Sequence, residues 1–158
     1  MPRITFMNNL VYVALLAMAP ISELRGAIPF GIASGPDFFS VWAIAVIFNI
    51  FVFFPIYFGL KLFYERFFSR FWWARKLIER VRRNGGPYIE KYGFWGLVIF
   101  VGTPLPITGA WTGTGAAWLM GLDWKKSFLA VSCGVIIASS IVSLVVLGFI
   151  SGMEVFVK

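Results

Sequence analysis

The sequence contains no histidine and a single cysteine, Cys133, in 158 residues. Histidine is the commonest metal ligand and the side chain that titrates near neutral pH. A lone cysteine forms neither an intrachain disulfide nor a redox pair. The sequence therefore predicts no metal site and no cofactor.

Charge is also scarce. Charged residues make up 13% of the chain, against about 25% in soluble domains. Hydrophobic residues make up 59%, and the mean hydropathy is +0.84, which indicates an integral membrane protein. The segment "GTGAAW" lacks the serine of a nucleophile elbow, and the chain has no "GK[ST]" phosphate-binding loop, so we expect no enzyme.

The charges that are present are mostly basic. Nine of the 14 basic residues lie between Lys61 and Lys91. Lys and Arg concentrate beside membrane spans on the cytoplasmic side and contact anionic headgroups there. We therefore predict a multi-pass protein of the cell (inner or plasma) membrane with the connector 61–92 in the cytoplasm, and no nucleic-acid partner.

The apolar runs are of two lengths. Residues 38–60 and 127–150 are long enough to cross about 30 Å of hydrocarbon at 1.5 Å per residue. The runs around "ELRGAIPFGIASG" and "TPLPITGAWTG" are broken by prolines, glycines and charges. Irregular backbone at membrane depth must be buried in protein or line a cavity, so each broken run is predicted to be a re-entrant hairpin. Residues 4–21 are either half of the first hairpin or a span of their own.

The connector "KLFYERFFSRFWWARKLIERVRRNGGPYIEKYG" alternates aromatic and basic residues at roughly helical spacing. This pattern is typical of an amphipathic helix that lies in the membrane interface, and a solvated loop helix is the alternative. The segment "NGGP" is predicted to end this helix.

The two halves of the chain resemble each other at an offset of 86 positions. The matched pairs are Pro20 and Pro106, Ile21 and Ile107, Gly35 and Gly121, Asp37 and Asp123, and Phe38 and Trp124. A broken hairpin, a turn with Asp and a full span thus occur twice in the same order, which indicates an internal repeat. Each unit crosses the membrane once, so two consecutive units must be inverted with respect to each other.

The predicted fold is an all-α integral membrane protein of two inverted repeats, each a re-entrant helical hairpin plus a full transmembrane helix, joined by the basic amphipathic connector. The single membrane domain covers 1–158. Repeat 1 is 1–60, with hairpin 4–36 and span 38–60; the connector is 61–92; repeat 2 is 93–158, with hairpin 93–122 and span 127–150. With only two full spans to shield two hairpins, we expect a homodimer.

Glu23 and Arg25 are the charged residues predicted at a hairpin tip. A charge at bilayer depth costs at least about 2.5–3.5 kcal/mol and is retained only with a partner or a ligand. The pair either satisfies itself or the backbone carbonyls and locks the hairpin, or Arg25 binds a phosphate or carboxylate while Glu23 couples a proton or sodium ion.

Other polar side chains have two interpretations each. Thr103, Thr108 and Thr112 offer hydroxyls at the second tip or bond back to the i−4 carbonyl. Trp111 either stacks on a ligand or packs, and Asn49 either reaches a tip or joins two helices.

The motifs "ELRGAIPFGIASG" and "PLPITGAWTG" resemble the signature stretches of the small multidrug export protein family, over nearly the whole chain. That family is in turn similar to the DedA and VTT group of membrane proteins, which implies paired re-entrant hairpins. Ile107 stands where the resemblance implies glycine, and the second hairpin lacks the arginine of DedA relatives. Together with the polar residues above, the resemblance implies these substrate-binding residues: Glu23, Arg25, Gly26, Pro29, Asn49, Pro104, Pro106, Thr108, Gly109, Trp111 and Thr112, with Gly113 beside them.

The sequence favours a membrane transporter or lipid flippase that moves a small anionic or amphipathic substrate, such as a phospholipid or polyprenyl phosphate, coupled to protons or sodium. Membrane lipids are the other expected partners. A cationic drug exporter that uses Glu23, as the family name implies, is the first alternative. A non-transporting scaffold whose basic connector holds anionic lipid is the second.

Overall fold

The computed structural model describes residues 2–67, 70–105 and 108–157, and the side chains of 7–64, 66–67, 70–72, 75–76, 79–80, 92–105 and 108–152. Within these ranges the chain forms seven α-helices and no β-strand. They are α1 (Pro2–Met18), α2 (Glu23–Ala33), α3 (Phe38–Phe51), α4 (Phe53–Arg66), α5 (Trp72–Gly102), α6 (Ala110–Met120) and α7 (Trp124–Val157). The all-α prediction is confirmed.

Two stretches of the described chain are long and apolar enough to cross a membrane. They are Phe38–Tyr64, formed by α3 and most of α4, and Trp124–Gly152 in α7, with 27 and 29 residues. At 1.5 Å per residue each covers about 40 Å, more than the hydrocarbon core of a bilayer. The shorter apolar helices are Met7–Met18 and Tyr92–Gly102. The described chain therefore has two apolar stretches of membrane length and two shorter ones.

The first long stretch is interrupted at Val52, between α3 and α4. Pro55 explains the position of the break, because a proline lacks the N–H that would bond to the carbonyl of residue i−4, here Phe51, and its ring clashes with that carbonyl. Phe53, which is fully buried, follows the break and contacts the rings of Tyr57 and Phe128. Aromatic packing against α7 thus holds the start of α4 in place after the break.

In each half of the chain three consecutive helices pack against one another. In the first half α1, α2 and α3 contact one another, and in the second half α5, α6 and α7 do so. The halves also contact each other, α2 with α7, α6 with α4, and α3 with α7. Close approach depends on glycine in both halves, since a Cβ on Gly31 would lie 2.3 Å from Val41 and one on Gly113 would lie 2.3 Å from Val101.

The turns before α3 and α7 share their geometry. Gly35 and Gly121 both have positive φ, 97° and 77°. The carboxylate of Asp37 then accepts the N–H of Ser40 at 2.9 Å, and that of Asp123 accepts the N–H of Lys126 at 3.3 Å. Both pairs of residues stand 86 positions apart in the sequence, so the matched "G-x-D" motifs form the same helix start twice.

We expect Asp37→Ala and Asp123→Ala each to lower the Tm by about 2–4 °C, because each removes an N-terminal cap from a membrane-length helix. The Ser40 amide lowers the pKa of Asp37, so that cap is present above the ordinary pKa of aspartate and is lost as the pH falls through the lowered one. Asp37→Asn and Asp123→Asn, which keep the accepting oxygen, are the matched controls. A thermal melt of the four variants in detergent measures the effect, and equal Tm values for the alanine and asparagine variants would contradict it.

The prediction that "NGGP" ends the connector helix is wrong. α5 starts at Trp72 and continues through Asn84–Pro87 to Gly102. Glycine costs a helix only about 1 kcal/mol and proline about 3 kcal/mol, and the helical turns on both sides outweigh that cost here. The apolar segment after "NGGP" is therefore the C-terminal part of a 31-residue helix.

Candidate functional site

Two loops that are distant in the sequence contact each other. The first loop, residues 19–25, joins α1 to the first turn of α2. The second loop, of which the structure describes residues 103–105 and 108–109, lies between α5 and α6. The Arg25 guanidinium donates to the carbonyl of Thr108. The backbone N–H of Trp111, in the first turn of α6, donates to Glu23 Oε1 at 3.2 Å. Both charged residues of the first loop thus bind backbone groups at the second.

The first loop holds Glu23 in an unusual backbone conformation. Ser22 Oγ donates to the Leu16 carbonyl at 2.5 Å, and the Glu23 N–H donates to the Ala19 carbonyl at 3.1 Å. Glu23 has φ of 44°, in the left-handed region that costs a non-glycine residue about 1–2 kcal/mol. Residues in this region persist where surrounding contacts fix them and are common at functional sites. Glu23 as a residue is 8% exposed. Its backbone conformation directs the carboxylate toward the second loop.

In the second loop, Gly109 lies directly against the carboxylate of Glu23. Gly109 has φ of 154°, and a Cβ on it would lie 1.8 Å from Glu23 Oε2. Beside it, Thr108 Oγ1 accepts the N–H of Leu105 at 3.0 Å and donates to the Thr103 carbonyl. The side-chain hydroxyl of Thr108 therefore links residues within the second loop, while the backbone carbonyl of Thr108 accepts a hydrogen bond from Arg25.

Trp111 adds a third link between the loops. Its indole Nε1 donates to the carbonyl of Met18, the last residue of α1, at 3.0 Å. This carbonyl is one of those that a helix end leaves without an intrahelical partner. Trp111 thus contacts both sides of the first loop, through its backbone at Glu23 and through its side chain at Met18.

Asn49 reaches the same region from α3. It is 1% exposed, and its Nδ2 donates to the Ala17 carbonyl at 2.7 Å. In the described part of the chain its Oδ1 accepts no hydrogen bond, and leaving such a buried acceptor unpaired costs about 1–3 kcal/mol. The sequence offered two roles for Asn49, and the structure shows the joining of helices together with one unpaired oxygen.

A small cavity lies between the loops. Its volume open to the centre of a water molecule is about 10 Å³, roughly the space that one water needs. The lining residues are Glu23, Leu24, Arg25, Asn49, Val101, Pro104, Thr108, Gly109, Ala110, Val135, Ala138 and Val142. Any larger ligand therefore requires the two loops to move apart.

The structure brings together only part of the predicted site. Glu23, Arg25, Asn49, Pro104, Thr108 and Gly109 line the cavity, and Trp111 adjoins it through its bond to Glu23. Three further predicted residues, Gly26, Pro29 and Thr112, do not line it. Gly26 lies in α2 against Ser22 of the first loop, Pro29 is half-buried within α2, and Thr112 is exposed on α6. Pro106 lies outside the described residues, as does Ile107.

Glu23 and Arg25, for which the sequence left a mutual ion pair, backbone partners or a ligand open, have separate hydrogen-bond partners. Among the described residues the guanidinium binds the Thr108 carbonyl, and the carboxylate binds the Trp111 amide. These partners are a loop carbonyl and an N–H from the first turn of α6, where a helix leaves its N–H groups without an intrahelical acceptor. This is the alternative in which backbone groups satisfy the charges. Thr103 likewise follows the second of its two interpretations, since its hydroxyl bonds back to the Ile99 carbonyl at 2.7 Å.

Sequence reasoning missed the wall that α7 contributes to the cavity. Val135, Ala138 and Val142 all line it, and their spacing of three and four residues places them on one helix face. The sequence does show small side chains at this spacing in the second span, and this pattern could have predicted that α7 lines the cavity. Among the described residues no group of three or more His, Cys, Asp or Glu could hold a metal ion.

Comparison with known proteins gives one match. A family model described as "Putative small multi-drug export protein" matches residues 23–141. This range begins at Glu23 and contains both candidate motifs. No curated protein and no solved structure matches the chain.

Proposed function

The chain belongs to the small multi-drug export protein family, and from this membership and the geometry of the two loops we propose that it is a membrane transporter whose substrate passes between them. The observation that carries the proposal is the pair of contacts from Arg25 to Thr108 and from Glu23 to Trp111. A charged side chain inside a membrane is costly, and packing alone does not explain why the chain has both Glu23 and Arg25 at this junction. A gate that opens around a charged ligand supplies one.

In this proposal both loops lie near the middle of the bilayer. Helices α2 and α6 have 11 residues each, about 16 Å at 1.5 Å per residue, and neither can cross about 30 Å of hydrocarbon. We take them as the returning halves of re-entrant hairpins. The equivalent turns before α3 and α7 support an inverted repeat with the boundaries given above, 1–60 and 93–158, joined by 61–92.

The substrate we propose is a small anionic or amphipathic molecule, with a phospholipid or polyprenyl phosphate as examples. The Thr108 carbonyl oxygen occupies the position beside Arg25 that an anionic oxygen of the substrate would take. A phosphate or carboxylate binds a guanidinium more strongly than a neutral carbonyl does, because the hydrogen bonds are charge-assisted and bidentate. The substrate therefore favours the open arrangement of the loops, and release of the substrate restores the closed one.

Glu23 is the proposed coupling residue, for a proton or a sodium ion. Its carboxylate is buried at the same junction and is held by a single amide N–H of Trp111. Binding a proton or a cation there removes the negative charge that otherwise opposes an anionic substrate beside Arg25. Because Glu23 and Arg25 line the same cavity, binding of the ion at Glu23 affects binding of the substrate at Arg25.

A second candidate function, export of cationic drugs, is favoured by a separate observation. In the described structure Glu23 binds the Trp111 amide and does not form an ion pair with Arg25. Because the neighbouring guanidinium of Arg25 donates its hydrogen bond to Thr108 and not to this carboxylate, Glu23 can bind an organic cation once the loops part, and the family description names multi-drug export.

Flux measurements in proteoliposomes distinguish the two candidates. A fluorescent phosphatidic acid serves as the anionic probe and ethidium as the cationic one. For the anionic substrate, Glu23→Gln is expected to keep the lipid flux and to abolish its pH dependence, whereas for drug export the same variant abolishes ethidium flux. Ser140→Ala, at an exposed position of α7 outside the cavity, is the matched control. Absence of flux for both probes in the wild-type protein would refute both candidates and leave the scaffold alternative.

The orientation and assembly are proposals as well. Eleven of the basic residues, those of the connector with Lys125 and Lys126, fall on one face of the proposed topology, and that face is assigned to the cytoplasm of a multi-pass protein of the cell membrane. A homodimer is proposed because one chain with two membrane-length stretches leaves much of both hairpins uncovered, with Val11, Leu15 and Ile99 each more than half exposed.

A further inference from the structure

The start of α5 carries a groove that the transport site does not use. Its volume is about 510 Å³. The residues that line it, here called the basic groove, are Arg70, Trp72, Arg75, Lys76 and Glu79. All five side chains are exposed, and three cations against one carboxylate give the groove a net positive charge. The groove therefore attracts an anionic ligand.

The groove combines this charge with aromatic surface. Lys76 Nζ lies 4.5 Å from the centroid of the Trp72 ring, which is the geometry of a cation–π contact. Trp72 is 73% exposed, and Phe67 close by is 55% exposed. Tryptophan side chains exposed among Lys and Arg are typical of the headgroup region of a bilayer, where one part of the side chain meets lipid and the other meets water.

The position of the groove along the chain also indicates the bilayer surface. The membrane-length stretch Phe38–Tyr64 ends a few residues before Arg70. Residues that directly follow such a stretch emerge at the level of the headgroups. A soluble acidic molecule would have no need of the exposed Trp72 ring, whereas a lipid offers a phosphate to the cations and acyl chains to the ring.

We propose that the basic groove binds the headgroup of an anionic phospholipid, with its phosphate between Arg75 and Lys76. The bound lipid fixes the start of α5 at the membrane surface. This lipid site is separate from the cavity between the two loops, and it stands whether or not the chain transports a substrate.

Native mass spectrometry of the full chain, with equal amounts of phosphatidylglycerol and phosphatidylcholine of the same acyl chains, tests the proposal. The wild-type protein is expected to retain phosphatidylglycerol in preference. In the double variant Arg75→Gln/Lys76→Gln this preference is expected to fall by a factor of about 10 to 25, since each basic residue that contacts the bound anionic headgroup contributes about fivefold. Trp72→Ala, which removes the ring beneath Lys76, is expected to lose a smaller part.

The matched control is Lys125→Gln/Lys126→Gln. It removes the same charge from two exposed lysines at the start of α7, on the same face of the proposed topology, and is expected to keep the wild-type preference. Gln is a good helix former, and unchanged helical circular dichroism shows that each variant is folded. A wild-type preference in the Arg75/Lys76 variant would overturn the proposal, as would an equal loss in the Lys125/Lys126 control.

Discussion

Gly109→Ala is expected to lower the free energy of unfolding by about 3–5 kcal/mol, within the range of the most damaging single substitutions. Two effects add. The φ of 154° at this position disfavours any side chain, and the new methyl group would stand 1.8 Å from Glu23 Oε2. The obstructing atom belongs to a carboxylate held by the Trp111 amide, so relief of the clash breaks a contact between the loops. Denaturant unfolding in detergent measures the loss.

The matched control is Gly115→Ala in α6. No atom lies within 4 Å of the Cβ that this substitution adds, and alanine is about 1 kcal/mol better than glycine inside a helix. We therefore expect Gly115→Ala to leave stability unchanged or to raise it. Equal stability of the two alanine variants would show that Glu23 does not enter the second loop as described.

Arg25→Ala is expected to reduce flux of the anionic lipid probe about 10²-fold. Truncating one partner of a buried charged contact costs about 2–5 kcal/mol. Since Arg25 is only half-buried, we take a loss near the lower end, about 2.7 kcal/mol, which corresponds to a factor of 10² in rate. The variant removes the positive charge that would bind the substrate and also leaves the Thr108 carbonyl without its donor. Initial rates in proteoliposomes, normalised to inserted protein, give the comparison.

Arg25→Lys separates the two consequences. Lysine keeps the charge but lacks the planar fork that binds a phosphate or carboxylate through two parallel hydrogen bonds, so an intermediate loss of about tenfold is expected. Ser140→Ala serves again as the control with wild-type flux. If Arg25→Ala transports the lipid probe at the wild-type rate while remaining folded, Arg25 does not bind the substrate.

Much of the fold was predictable because it follows from local composition. Both membrane-length stretches were located from their apolar runs, predicted at 38–60 and 127–150 and found at Phe38–Tyr64 and Trp124–Gly152. The short helices were expected where proline and glycine interrupt the runs. The turns before α3 and α7 were identified from Gly, Asp and the aromatic residue that follows, since capping and left-handed turns need those residue types.

Interior breaks and continuations were harder to predict. The sequence contains Pro55 in the first long stretch and "NGGP" in α5, yet only the first interrupts a helix. Proline and glycine set a local cost of about 1–3 kcal/mol, and whether the helix continues depends on packing along its whole length. That packing is a property of the tertiary structure and is not visible in four residues.

The residues of the site were easier to predict than their partners. Glu23, Arg25, Asn49 and Gly109 stood out as polar or flexible residues in an apolar setting, and they line one cavity. That Arg25 binds the Thr108 carbonyl, 83 positions away, depends on the approach of two loops. Backbone carbonyls and amides have no signature in a sequence, so such partners emerge only from the fold.

The depth of the two loops in the bilayer is tested most directly by thiol labelling. Single cysteines at Ile21 in the first loop and Leu105 in the second, 93% and 56% exposed, are placed in a Cys133→Ala background, with Arg75→Cys as the surface reference. A charged, membrane-impermeant maleimide is applied from each side of proteoliposomes. Slow labelling of Ile21→Cys and Leu105→Cys from both sides, with fast labelling of Arg75→Cys from one side, is the predicted result. Labelling of both loop cysteines as fast as Arg75→Cys, from one and the same side, would contradict it.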